Sequence, residues 1–321
     1  MATLDPEVER LLELARQAGR PPFEKLTPAQ AREAYAASWD ILQPSPSEVA
    51  SVHDETIAGP GGALTLRIYR GAGTLAADRL PCLVYLHGGG WVIGNLESHD
   101  RLCRRVANTA GICVVAVDYR LAPEHPFPAA LDDAAAALNW VSGHADTLAI
   151  ERERIGIGGD SAGGNLAAVL GLMARDGAAP ALIFQALLYP VVDLTAASES
   201  YRKVTSGLPL TAATMHYFID HYAPRASDRL DWRASPLKAA SLAGTPPALV
   251  LTVANDPLCD EGRAYAHRLE AEGVRVTSLH LGDHMHGMLL TGKLVRASNT
   301  ILDFVGAAIG HALHHRNPPR P

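Results

Sequence analysis

The chain has 321 residues, 48% of them hydrophobic and 19% charged, with a net charge of −6. That length allows one sizeable core, alone or with a small attached subdomain, and the composition excludes a disordered chain. The acidic balance and the lack of any Lys/Arg run argue against a nucleic-acid partner, and no apolar run is long enough to span a membrane.

The N-terminus reads Asp5-Pro6-Glu7 followed by Val8, Leu11, Leu12 and Ala15. An N-cap, a Pro at the first helical position and one apolar face predict an amphipathic helix. It lacks the basic start, continuous apolar core and cleavage site of a signal peptide, so the expected compartment is the cytoplasm. The four cysteines (Cys82, Cys103, Cys113, Cys259) show no C-x-x-C spacing. Neither a metal site nor a disulfide framework is expected from them.

Past residue 60 the pattern alternates. Leu64 to Tyr69 has period two and predicts a strand. Leu83 to Leu86, Ile112 to Val117, Ile155 to Ile157, Leu182 to Tyr189 and Leu249 to Val253 read as buried strands, and Val274 to Leu281 as a weaker last one. Helical periodicity covers about 98–110, 128–142, 162–176, 260–272 and 296–312. Strand-helix alternation of this kind predicts an α/β fold with a mostly parallel sheet covered on both faces. Two helical stretches stand outside it, residues 1–50 and about 195–235, the second centred on Thr211 to Tyr222. Together they could form a cap over the strand ends.

The strongest motif is Gly159-Asp160-Ser161-Ala162-Gly163, between the run Ile155 to Gly158 and the helical stretch from Asn165. A nucleophilic Ser needs a tight strand-to-helix turn, and flanking glycines remove side chains that clash there. The helix N-terminus adds its positive dipole end. Upstream, His87-Gly88-Gly89-Gly90-Trp91 follows a predicted strand. Such a loop turns backbone N–H groups toward one point, with a third donor from Ala162; a phosphate loop would want a following Lys and Ser/Thr, which are absent. Downstream, Asp256 lies at the carboxyl end of the strand Leu249 to Val253, where sites of open α/β sheets form. Asp260 and Glu261 nearby read as the start of the next helix. In Gly282-Asp283-His284-Met285-His286-Gly287, His286 suits a tight loop that holds an imidazole over the site, and His284 is the alternative base. His53, His99, His125 and His216 lack such a context and read as surface or packing residues.

With these residues in hand, the chain resembles the bacterial hormone-sensitive-lipase-like esterases, the family IV lipolytic enzymes. The resemblance rests on HGGGW at 87–91, DYRLAPEHPFPAALDDA at 118–134, GDSAGGNLA at 159–167, DPLCDEG at 256–262 and HMHGM at 284–288, and begins near Arg20-Pro21-Pro22. It implies the α/β-hydrolase fold with about eight strands and a helical cap: cap helices in 1–50, core in 51–190, a cap insertion in 191–235 and core again in 236–321. It implies catalytic roles for Ser161, Asp256 and His286, and oxyanion donors at Gly88, Gly89 and Ala162. It also implies a preference for short to medium acyl chains and a homodimer through the last edge strand. Cys259 stands where Arg is common and Met288 where Phe is usual, departures that touch substrate preference rather than the triad.

The expected chemistry is two-step acyl transfer on Ser161 from a small ester, with no cofactor and no metal. Trp91, Val92, Leu208, Met215, Phe218 and Ile219 suggest an acyl pocket of modest depth, and each reads equally well as cap packing. An amidase or peptidase with the same triad is one rival reading, and a non-catalytic ligand receptor on the same scaffold is another.

Overall fold

The computed structural model describes residues 3–315. Its centre is an eight-stranded sheet in the order β1-β2-β4-β3-β5-β6-β7-β8. The strands are β1 (Ser51–Gly59), β2 (Gly62–Arg70), β3 (Leu80–Leu86), β4 (Cys113–Val117), β5 (Ile150–Asp160), β6 (Phe184–Leu188), β7 (Ala248–Asn255) and β8 (Val276–Met285). The hairpin β1–β2 and the pair β2–β4 are antiparallel, and every other pairing is parallel.

Parallel strands need long crossovers, and helices supply them. These are α4 (Leu96–Ala110), α5 (Ala129–Gly143), α6 (Ala162–Arg175) and α9 (Cys259–Ala271), while a last helix, α10 (Arg296–His314), follows β8 and packs beside α4. Successive strand residues face opposite sides, so β3 divides its side chains between two cores. Cys82, Val84 and Leu86 join Leu131, Leu138 and Leu166 of α5 and α6 on one side. Leu83 and Tyr85 join Leu102, Val106, Val305 and Ile309 of α4 and α10 on the other.

β1 is a strand that residue pattern alone misses. Six of its nine residues are exposed in succession and only Ile57 is buried, so it shows no alternation to read. It forms because the turn at Gly59–Gly62 folds it back on β2 in register. β5 is also longer than its apolar stretch, because the charged run from Glu151 to Arg154 lies on the same strand.

The remaining helices lie outside the sheet: α1 (Pro6–Ala18), α2 (Pro28–Ala36), α3 (Trp39–Leu42), α7 (Glu199–Lys203) and α8 (Ala212–Tyr222). The N-terminal segment and α8 touch. The Phe23 and Phe218 rings lie 6.1 Å apart, and Thr214 Oγ1 donates to Glu24 Oε2 at 2.8 Å. The buried amide of Asn165 on α6 donates to Val191 O at 3.0 Å and Ala234 O at 2.8 Å. One side chain thereby holds both ends of the 191–235 segment against the core.

Candidate active site

β5 runs straight into the turn that carries Ser161. The Ser161 backbone sits at φ 56°, ψ −117°, in the half of conformational space that L-residues avoid. Backbone bonds impose this: Ser161 N–H donates to Leu188 O of β6 at 2.9 Å, while Ser161 O accepts from Asn165 N and Val191 N. Its side chain is thereby lifted off the strand axis toward the ends of β7 and β8.

Asp256 follows β7 directly and is wholly buried. Its Oδ1 accepts from Leu258 N–H at 2.9 Å, and its Oδ2 lies 2.7 Å from His286 Nδ1. A carboxylate on Nδ1 fixes the imidazole tautomer with the proton there, leaving Nε2 as an acceptor. His286 Nε2 stands 3.0 Å from Ser161 Oγ. The three residues expected from sequence therefore meet in one hydrogen-bonded chain, with the geometry that proton abstraction from a hydroxyl requires. Pairing of Asn255 with Met285 brings the acid and base loops side by side, and the Tyr189 ring packs 4.6 Å from the His286 ring. His284, the alternative base, is turned elsewhere: its Nδ1 lies 2.7 Å from Asp283 Oδ1.

The glycine loop departs from expectation at one position. Gly88 N–H donates to Asp160 Oδ1 at 2.9 Å, so it is engaged inside the protein and is not free to meet an oxyanion. The free amides in this loop belong to Gly89 and Gly90, which donate to no group among the described residues. The Ala162 amide, in the first turn of α6, has no acceptor within its helix. Gly88 O is held as well, by His87 Nδ1 at 2.8 Å. In a trans peptide N–H and C=O point in opposite directions, so this bond turns the Gly89 N–H away from the His87 ring. Burial pushes His87 down to about 3, beyond its ordinary range, and its ring, stacked at 4.2 Å on Tyr119, stays neutral.

Side chains proposed from sequence as pocket lining take other places. Trp91 and Val92 have no exposed surface. Trp91 stacks flat on Tyr222 of α8 with ring centroids 4.2 Å apart, the packing arrangement that its residue type also allowed. Met215 is buried in the main core. Leu208 packs against a small cluster of Val8, Leu11, Met285 and Val295. Ile219 is likewise buried in the main core, and Phe218 abuts the glycine loop: a Cβ on Gly90, whose φ is +58°, would run into its ring. Glu261 and His99 stand where the sequence reading put them, in a first helical turn and in packing, and each also has polar partners that reading did not give. Glu261, at the start of α9, accepts from Val192 and Asp193 N–H. His99 lies buried 3.1 Å from Asp160.

A hydroxyl, an imidazole and a buried carboxylate in line at the carboxyl ends of parallel strands, beside unpaired amides, have the arrangement of a serine-dependent acyl-transfer site. Comparison with known proteins identifies the class. Residues 83–290 match a family described as having the alpha/beta hydrolase fold. Carboxylic ester hydrolase LipN of Mycobacterium tuberculosis is 41% identical over 293 residues, 89% of this chain and 77% of that protein. An ethyl acetate hydrolase of Pseudomonas putida is 36% identical over 315 residues, 96% of this chain and 98% of that protein. Among solved structures, a serine-to-alanine variant of LAE6, an α/β hydrolase enzyme from the metagenome of Lake Arreo, superimposes with a TM-score of 0.93. It is 40% identical, and the match covers 98% of this chain and 99% of that one.

The chain belongs to the α/β-hydrolase family, in its hormone-sensitive-lipase-like branch. Its activity is that of a carboxylic ester hydrolase.

Proposed function

We propose that Ser161 is the nucleophile, His286 the general base and acid, and Asp256 the residue that orients His286. Ser161 Oγ attacks the ester carbonyl while His286 Nε2 takes its proton, and Asp256 stabilises the imidazolium. The Gly89, Gly90 and Ala162 N–H groups receive the oxyanion. The tetrahedral adduct collapses, His286 protonates the leaving alcohol, and a water activated by the same imidazole releases the acid and frees Ser161. The observation that carries this reading is the continuous chain Ser161 Oγ, His286 Nε2, His286 Nδ1, Asp256 Oδ2 at 3.0 and 2.7 Å.

Short to medium acyl chains are the proposed substrates. The packing of Trp91, Val92 and Met215 supports this, since none of them offers more than a trace of open surface to a long chain. The ethyl acetate hydrolase named above acts on a very small ester and supports the same size class. The 1–50 and 191–235 segments are read as one cap, supported by the Phe23–Phe218 and Thr214–Glu24 contacts. Among the described residues no helix is long and apolar enough to cross a membrane. The four cysteines are free and buried, which supports a reducing, cytoplasmic compartment. The deciding experiment is a chain-length panel of p-nitrophenyl esters on wild type and Ser161→Ala. Butyrate or hexanoate should turn over fastest, and only with Ser161 present. Faster cleavage of long-chain emulsions would refute the size assignment, and turnover by Ser161→Ala would refute the nucleophile.

A further inference from the structure

Against the glycine loop lies a polar cluster that the proposed mechanism does not use. At its centre is Asp160, 3% exposed. Asp160 Oδ1 accepts from Gly88 N–H at 2.9 Å and from Tyr85 Oη–H at 2.8 Å. It also faces His99 Nε2 at 3.1 Å. His99, 1% exposed, is fixed from behind, its Nδ1 lying 2.8 Å from Ser98 Oγ. Ser98 in turn belongs to the capping box of α4, bonded to Asn95, and its carbonyl accepts from the Gln43 side chain at 3.0 Å. The cluster is thus anchored on a helix N-terminus and does not drift with solvent.

Burial alone pushes the Asp160 carboxyl upward. The contact with His99 and the hydrogen bond from Tyr85 outweigh it and hold the group below its ordinary range. A buried carboxylate is expensive unless several donors meet it, and here three do. The closeness of the contact is also built in, because a Cβ on Gly88 would collide with Asp160 Oδ2. Asp160 is the immediate neighbour of Ser161 in sequence and the anchor of Gly88 in space. It therefore joins the turn that carries the nucleophile to the loop whose next two amides are free.

We infer that Asp160, supported by His99, is a positioning residue that sets the oxyanion hole in register with Ser161 by fixing the Gly88 amide. This rests on the reading of Gly89, Gly90 and Ala162 as oxyanion donors. With the Gly88 N–H held by Asp160 and its C=O held by His87, the Gly88 residue is clamped at both ends. Neither clamp touches substrate. Their effect is on where the following two donors stand when charge develops on the carbonyl oxygen, the stage at which misplacement costs rate rather than ground-state binding.

The test is Asp160→Asn, with His99→Leu and His99→Gln beside it. Gln retains a side-chain N–H to offer Asp160 and Leu retains none. For Asp160→Asn and His99→Leu, kcat on p-nitrophenyl butyrate is expected to fall about 10- to 100-fold, less than the loss of a whole oxyanion donor. KM should stay within about twofold. Affinity for a trifluoromethyl ketone, which adds Ser161 Oγ to give a tetrahedral oxyanion, should drop by the same factor as kcat. His99→Gln should recover most of the rate. A purely structural role lowers the melting temperature without this matched loss. The inference is overturned if folded Asp160→Asn and His99→Leu keep kcat within about threefold of wild type, or if KM rises in step with the loss. It is likewise overturned if neither variant folds, since the cluster is then structural. Turnover by Ser161→Ala in the same series overturns the catalytic reading instead.

Discussion

The two walls of the active site are built by different kinds of contact. On the core side, backbone-to-backbone bonds hold the nucleophile turn: Ser161 N–H on Leu188 O, and Ser161 O under Asn165 and Val191. On the cap side, side chains do it: Phe23 against Phe218, Trp91 on Tyr222, Thr214 to Glu24. A backbone contact survives most substitutions, whereas a side-chain contact changes with every one. The chemistry is accordingly tied to the fold, and the fit of the ester is left to replaceable groups.

The sharpest way to break that comparison is on the core wall. Ser161→Ala and His286→Ala should each lower kcat/KM by about 10⁴- to 10⁶-fold, with melting temperatures close to wild type. Ester kinetics with a phosphonate titration of active sites checks this. Next in size is Gly90→Ala, which sets a Cβ into the Phe218 ring at φ +58°. We expect a loss of about 10²- to 10³-fold in kcat, as when an oxyanion donor is removed. Adding Phe218→Ala should recover part of it, because the crowding then disappears.

On the cap wall the effects move from rate to stability and selectivity. Phe218→Ala alone empties a buried aromatic site and should cost about 3–5 kcal/mol. Thermal melts read the loss, and the ester panel should shift toward longer acyl chains while short-ester kcat stays within about tenfold. The smallest effect concerns Glu261, where burial pushes the carboxyl well above the ordinary 4.5. The folded state then binds a proton that the unfolded state has released. Stability is therefore full below the ordinary value and is lost as pH rises through the raised one. Relative to Glu261→Gln, the wild-type melting temperature should fall, on the order of a few degrees, between about pH 5 and pH 8.

Much of the core was legible because burial on both faces writes continuous apolar runs, as in β3 and β4, and because the turn at Ser161 has few sequence solutions. β1 was not, since an exposed antiparallel edge carries no pattern of its own. The register of the glycine loop was not legible either. Three consecutive glycines look alike, and only the approach of Asp160 decides that the first amide is used up. Asp160 and His99 give no periodic signal because they and their partners come from three separate stretches of chain. Leu208, Met215 and Phe218 show the reverse limit: apolar character announced burial but not which of them borders the site.

The conformation of Ser161 sets function against durability. At φ 56° any residue with a Cβ stores strain, of about 1–3 kcal/mol, and glycine is the residue that sits there at ease. Ser161→Gly should accordingly melt above Ser161→Ala while being equally inert. Drift toward a sturdier protein at this one position leads to an empty scaffold, and only selection for turnover keeps the less comfortable residue in place.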